Sequence, residues 1–81
     1  MNASIEISFY PLCNEYIPEI VDFIGRLGQY ADIKTETNGL STQIFGDYRT
    51  MMRILTDEME ISFKKNHTAV FVMKVVNVER Q

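Results

Sequence analysis

Midway along the chain, Asn38-Gly39 separates two short alternating runs, and no other pair of residues restricts the fold as much. Asn-Gly supplies the positive-φ centre that a two-residue hairpin turn favours, so the runs on either side are expected to pair antiparallel. Before the turn, Ile33, Thr35 and Thr37 alternate with Lys34 and Glu36, which predicts a strand over 32–37 with one solvated side. After it, Leu40 to Phe45 reads as the partner strand, and Gly46-Asp47 leads into a helix. Residues 37–48 therefore hold a turn, a hydroxyl-rich strand and a helix start.

The flanking segments supply the scaffold. From Ser4 to Tyr10, Ile5, Ile7 and Phe9 alternate with Glu6, Ser8 and Tyr10, a strand that Pro11 ends. Over 14–27, Ile17, Ile20, Val21, Ile24 and Leu27 recur at helical spacing, with Asp22 and Arg26 as an outer i,i+4 pair and Gly28 as the stop. The start of this helix stays open between Asn14 as cap and Pro18 at the first helical position. The second helix presents Tyr48, Met51, Met52, Leu55, Met59 and Phe63 inward, and Asp57-Glu58-Met59-Glu60 reads as a solvated face. Lys64 and Lys65 suit its C-terminal end, where Asn66 can take the left-handed conformation. Finally, Thr68 to Val76 is β-branched and apolar in both rows, as in a strand covered on both faces.

The order β-α-β-β-α-β predicts a ferredoxin-like α+β sandwich, a four-stranded antiparallel sheet with two helices on one face, in one domain over 1–81. The other face carries Glu6, Ser8, Tyr10, Val70, Val72 and Lys74, with Gln43 and Phe45. Such a surface is too apolar to stay wet, and a domain this small gains from association, so the sheet faces are expected to pack together in a homo-dimer or homo-tetramer.

Charge and cysteine content narrow the partners. A formal charge of −3 with eight dispersed Lys and Arg residues argues against nucleic acid. No apolar run reaches transmembrane length, and no signal peptide is evident, so no membrane partner is expected. Cys13, the only cysteine, has no disulfide partner, which suits a reducing, cytoplasmic setting.

Catalytic motifs are not evident. His67, the single histidine, sits in a polar Asn66-His67-Thr68 turn and reads as a solvated loop residue; Cys13 reads as a buried, inert thiol. The four glycines form no phosphate-binding pattern, and no cofactor is implied. Ser8, Tyr10 and Gln43, with Glu6, are different, because enclosing them unsatisfied costs on the order of 1–3 kcal/mol each. A bound polar heterocycle, waters or the other subunit would each satisfy them.

Ser8-Phe9-Tyr10-Pro11-Leu12, Tyr16-Ile17-Pro18 with Val21-Asp22-Phe23-Ile24, and the segment from Thr37 to Tyr48 resemble the YkoF-like family of thiamine- or hydroxymethylpyrimidine-binding proteins. The resemblance runs from about Ile5 to Val76. It implies a ferredoxin-like domain that associates through its sheets and binds the pyrimidine part of thiamine without transforming it. With one repeat in this chain, a two-domain site would have to come from oligomerisation. The expected ligand-binding residues are Ser8, Tyr10, Leu12, Asn38, Ser41, Thr42, Gln43 and Phe45; the resemblance implies Tyr10, Leu12, Asn38, Ser41 and Thr42, where the motif matches, and the open sheet face adds Ser8, Gln43 and Phe45. Tyr10 or Phe45 could stack on the ring, and Ser41, Thr42, Gln43 and Asn38 could exchange hydrogen bonds with it. Asp47 and Glu6 could face the cationic thiazolium, although Asp47 is more simply a helix cap. Alternation puts Ser41 and Gln43 on one face of their strand and Thr42 on the other.

A regulatory or protein-interaction module of the same topology is the alternative reading. An acylphosphatase-like enzyme fits less well, since Pro11-Leu12-Cys13-Asn14 stands where an Arg-containing phosphate loop would follow the first strand. Metal-carrying and RNA-recognition modules of this topology need paired cysteines and basic aromatic strands, which are missing here.

Overall fold

The computed structural model describes residues 1–39, 41–65 and 68–78. β1 spans Asn2–Pro11, α1 Tyr16–Leu27, β2 Lys34–Thr37, β3 Thr42–Asp47, α2 Tyr48–Phe63 and β4 Ala69–Val76. All strand pairs are antiparallel and the sheet order is β2-β3-β1-β4, so the expected ferredoxin-like architecture is observed. Leu40, Asn66 and His67, to which a strand start, a helix end and a loop histidine were assigned, lie outside the described residues.

The hairpin turn differs in detail from the expected one. Thr37 pairs with Thr42, Asn38 N donates to Ser41 O at 3.0 Å, and Ser41 N donates to Asn38 Oδ1 at 3.0 Å. Asn38 therefore closes the turn instead of sitting at its centre. Its side-chain oxygen accepts from the Ser41 amide in place of a backbone carbonyl, a way in which Asn stabilises turns.

Ala3, Ile5 and Ile7 of β1 and Ile44 of β3 form the sheet half of the core, and Phe23, Leu27, Met51, Ile54 and Leu55 the helix half. The α1 stripe is rotated from the expected one. Ile17 and Val21 are exposed, and Phe23 is buried. Aromatic packing explains this: Phe9 and Phe71 stack at 4.3 Å, and Phe23 meets Phe9 edge-on at 5.4 Å, which turns α1 toward the sheet on that side.

α2 is rotated for a polar reason. Glu58 and Ser62 are buried, whereas Tyr48 and Phe63 are exposed, so the expected solvated Glu58 is corrected. Glu58 Oε1 accepts from Arg26 Nη1 at 2.8 Å, and Glu58 Oε2 accepts from Tyr30 OH at 2.5 Å. Arg26 also donates to Glu58 O at 2.9 Å, to Ser62 Oγ at 2.6 Å and to the expected partner Asp22 Oδ2 at 3.0 Å. A charge-assisted set of this kind compensates the desolvation of both ions and clamps α1 to α2.

At the start of α2, Asp47 is the cap: its Oδ2 accepts from Thr50 N at 3.1 Å and from Thr50 Oγ1 at 3.0 Å. Gly46, just before it, has a φ of +155°, and a Cβ there would lie 3.4 Å from Asp32 O. Glycine thus permits the bend that turns β3 into α2. β4 contradicts expectation, because within the chain it is not covered on both faces. It lies at the sheet edge with Val70, Val72, Met73, Val75 and Val76 all exposed.

Candidate functional site

The face of the sheet away from the helices is built by register. Ser4 lies between Phe45 and Val76, Glu6 between Gln43 and Lys74, and Ser8 and Tyr10 lie beside Val72 and Val70. Residues directly opposite across antiparallel strands have Cβ atoms about 4.5–5.5 Å apart. Three strands thus present two consecutive cross-rows of side chains on one surface.

Over these rows lies a hollow of about 470 Å³ whose wall includes Ser4, Glu6, Gln43, Phe45, Lys74 and Val76. Its electrostatic centre is Glu6, which accepts from Ser41 Oγ at 3.3 Å through Oε2 and stands 3.8 Å from Lys74 Nζ through Oε1. The Lys74 side chain is 82% exposed, so this ion pair is worth little by itself and can open to a competing cation. Beyond Ser4, the chain following β4 returns to the open face, where Ser4 Oγ donates to Val78 O at 2.6 Å.

A smaller recess of about 110 Å³ lies between α1 and the hairpin turn, bounded by Ile20, Ile24, Ser8, Asn38, Ser41 and Thr42 among others. The expected ligand-binding residues are therefore divided. Gln43 and Phe45 line the large hollow; Ser8, Asn38, Ser41 and Thr42 line the small recess; Tyr10 and Leu12 line neither and are exposed. Tyr10 lies four residues beyond Glu6 on β1, about 13 Å at the rise of an extended strand. Phe45 is 3% exposed, which makes it floor and not a free stacking face. Thr42 is buried on the helix side, its Oγ1 3.2 Å from Thr37 Oγ1, and Asn38 is engaged in the turn.

Asp47 stands apart from the hollow. Its carboxyl is held below its usual range by the Thr50 backbone N–H, then by the Thr50 hydroxyl and the amino terminus. Cys13 is half-buried, more accessible than the expected buried thiol. Among the described residues no group of His, Cys, Asp and Glu could hold a metal ion, and no helix is long and apolar enough to cross a membrane.

Ser4 and Lys74 complete the hollow without having been singled out as ligand-binding residues. Alternation puts each on a definite row of its strand. What brings them beside Glu6 and Phe45 is the register of β1 with β3 and β4, which depends on the whole sheet.

The fold and this face define the class, a ferredoxin-like α+β protein with a small-molecule-sized hollow on the open side of its sheet. No family model matches the chain, and none of the curated proteins does. Several solved structures are similar. Protein SP2199 of Streptococcus pneumoniae superposes with a TM-score of 0.88 at 23% identity, over 98% of this chain and 89% of that one. TM0486 of Thermotoga maritima, described provisionally as a thiamine biosynthesis or salvage protein, gives 0.83 at 12% identity over 100% and 85%. A domain of unknown function from Bacillus cereus, DUF77, gives 0.75 at 11% identity over 98% and 78%. At these identities the likeness establishes the shared fold.

Proposed function

We propose that this chain is a noncatalytic binding protein that takes thiamine, or its hydroxymethylpyrimidine moiety, on the open face of the sheet within an oligomer. The observation that carries the reading is the hollow of about 470 Å³ in which Glu6 stands directly between Gln43 and Lys74 on three neighbouring strands. Sites for small molecules have volumes of about 300–1,000 Å³ and combine apolar walls with a few convergent polar groups. An aminopyrimidine matches this set. Its exocyclic amine can donate to the Glu6 carboxylate, while the Gln43 amide can donate to a ring nitrogen. Phe45 and Val76 offer the apolar floor and wall. The thiazolium of thiamine would replace Lys74 as the cation beside Glu6, and the net charge of −3 favours its approach. The thiamine-related description of the Thermotoga maritima neighbour supports the same ligand class.

In this reading Glu6 and Gln43 make the direct contacts, and Ser41 orients Glu6. A second copy laid over the open face would cover the exposed Val70, Val72 and Tyr10 and exclude water from the ligand. Calorimetric titration with thiamine and with hydroxymethylpyrimidine tests the proposal. Heat and a rise in Tm are expected with both, since binding to the native state stabilises it by about 2.7 kcal/mol at a hundredfold excess over Kd. No heat and no rise in Tm at millimolar ligand would instead favour the regulatory or protein-interaction module.

A further inference from the structure

One row of side chains on the open face is charged unevenly. Glu36, Gln43, Glu6 and Lys74 stand side by side on β2, β3, β1 and β4. Glu6 therefore has an amide on one side and an ammonium on the other. Among the described residues Lys74 is the only basic one lining the hollow, and Glu6 is its ion-pair partner at 3.8 Å. Its other neighbours on the open face are Val72 and Val76 along β4, with Ser4 and Ser8 diagonally across on β1, and none of them is acidic. Glu36, the second acid of the row, is three strands away, about 14 Å at the usual spacing between strands.

Filling the hollow disturbs this balance of charge. An uncharged aminopyrimidine can donate to Glu6 and leave Lys74 in place, since a carboxylate accepts at several positions. A cationic ring cannot, because beside Glu6 it takes the place of the ammonium. One carboxylate then faces two cations. The displaced ammonium has no counter-ion left within the hollow, and once a cover excludes water an uncompensated charge is costly. The Lys74 side chain is 82% exposed and its stem flexible, so the ammonium can swing to an anion placed beside it. An anionic group on the ligand itself would restore the balance.

We propose that Lys74 is the specificity-determining residue of this hollow and selects a phosphate monoester borne by the cationic ring, thiamine monophosphate over thiamine, an inference that rests on the thiamine-binding reading. With the thiazolium beside Glu6, the hydroxyethyl arm of the ring can carry the phosphate toward β4. Each charge then meets its opposite, thiazolium against Glu6 and phosphate against Lys74. Hydrogen bonds between an ammonium and a phosphate are charge-assisted, about twice as strong as neutral ones. The chain's net charge of −3 opposes anions in general, so a gain from the phosphate has to come from this local contact. A diphosphate brings further negative charge that no second basic residue meets among the described residues lining the hollow, and it is expected to bind no tighter than the monophosphate.

Calorimetric titrations of the full chain with thiamine, its monophosphate and its diphosphate test this. The monophosphate is expected to bind about tenfold tighter than thiamine, the weight of one hydrogen bond to a charged group. Inorganic phosphate alone should give no heat, because Glu6 then keeps Lys74. Lys74→Met is expected to move the two affinities in opposite directions: thiamine gains severalfold as its competitor is removed, and the monophosphate loses about tenfold. Lys74→Arg should keep the preference. A purely structural role for Lys74 would weaken both ligands together. Should Lys74→Met fail to fold, acetylation of Lys74 in the wild-type chain, read by mass spectrometry, decides the matter, since saturating monophosphate is expected to slow it more than saturating thiamine. A monophosphate that binds no tighter than thiamine, a preference that survives Lys74→Met, equal acetylation with both ligands, or inorganic phosphate bound as tightly as the ester would overturn the inference and leave the thiamine-binding reading standing. No heat with any of the three ligands would remove that reading and this inference with it.

Discussion

The two sides of the sheet hold their polar groups in opposite ways. On the helix side Arg26, Glu58, Tyr30 and Ser62 lie at the α1–α2 contact, and each has its partner within the chain at 2.5–2.9 Å. On the open side Glu6 has a 3.3 Å hydroxyl contact and a 3.8 Å contact with a largely exposed lysine, over a hollow instead of a packed layer. The first arrangement is closed and favours rigidity. The second keeps a carboxylate and an amide accessible, and is the one on which something else can bind. Polar residues at a packed contact and polar residues at a site are thus separated by how fully the chain itself satisfies them.

The sharpest way to break this comparison is to open the closed side. Glu58→Ala removes the acceptor of both Arg26 and Tyr30 and is expected to lower unfolding free energy by about 3 kcal/mol, read by urea denaturation. Ligand affinity of the folded protein should stay unchanged. The converse test lies on the open side. Gln43→Ala is expected to weaken thiamine binding about tenfold, from loss of a hydrogen bond, while unfolding free energy moves by no more than about 0.5 kcal/mol. If both variants lost stability alike, the distinction between the two faces would fail.

Alkaline pH gives a graded version of the first test. The Tyr30 phenol is raised above its ordinary value of 10.0, first by its hydrogen bond to Glu58 and then by burial and the Glu58 charge. A group whose pKa is higher in the folded state contributes stability that is full below its unfolded pKa and is lost as pH rises through the folded one. Stability should therefore fall above pH 10, and Tyr30→Phe should flatten that fall. The smallest effect is expected at Asp47. Its lowered carboxyl contributes stability that is present above the ordinary value of 3.8 and is lost as pH falls through the folded value. Asp47→Ala should lower Tm slightly near neutrality and remove this part of the acid dependence.

Much of the fold is legible in local pattern. Alternation marks β1, Asn38-Gly39 locates the hairpin, and Asp47 marks the start of α2, because each is a short-range consequence of backbone geometry. The helix faces are less legible for an equally physical reason. Glu58 and Ser62 look solvated by composition and are buried because Arg26, thirty-two residues from Glu58, supplies the donors. Phe23 is drawn inward by rings on β1 and β4 that are distant in sequence. The candidate site is legible in part for the same reason. Alternation correctly puts Ser41 and Gln43 on one face and Thr42 on the other, but it does not reveal that the register gathers Ser4, Glu6, Gln43 and Lys74 while leaving Tyr10 at a distance.

The phenol of Tyr30 has one further consequence, an optical one. The chain has no tryptophan and four tyrosines, so its near-ultraviolet emission comes from tyrosine alone. Tyr10, Tyr16 and Tyr48 are exposed, whereas Tyr30 OH donates to the Glu58 carboxylate at 2.5 Å. An excited phenol passes its proton readily to such an acceptor, and its fluorescence is quenched. Separation of α1 from α2 would relieve that quenching and brighten the protein, reporting on the helix layer without a label while binding on the opposite face is followed by heat.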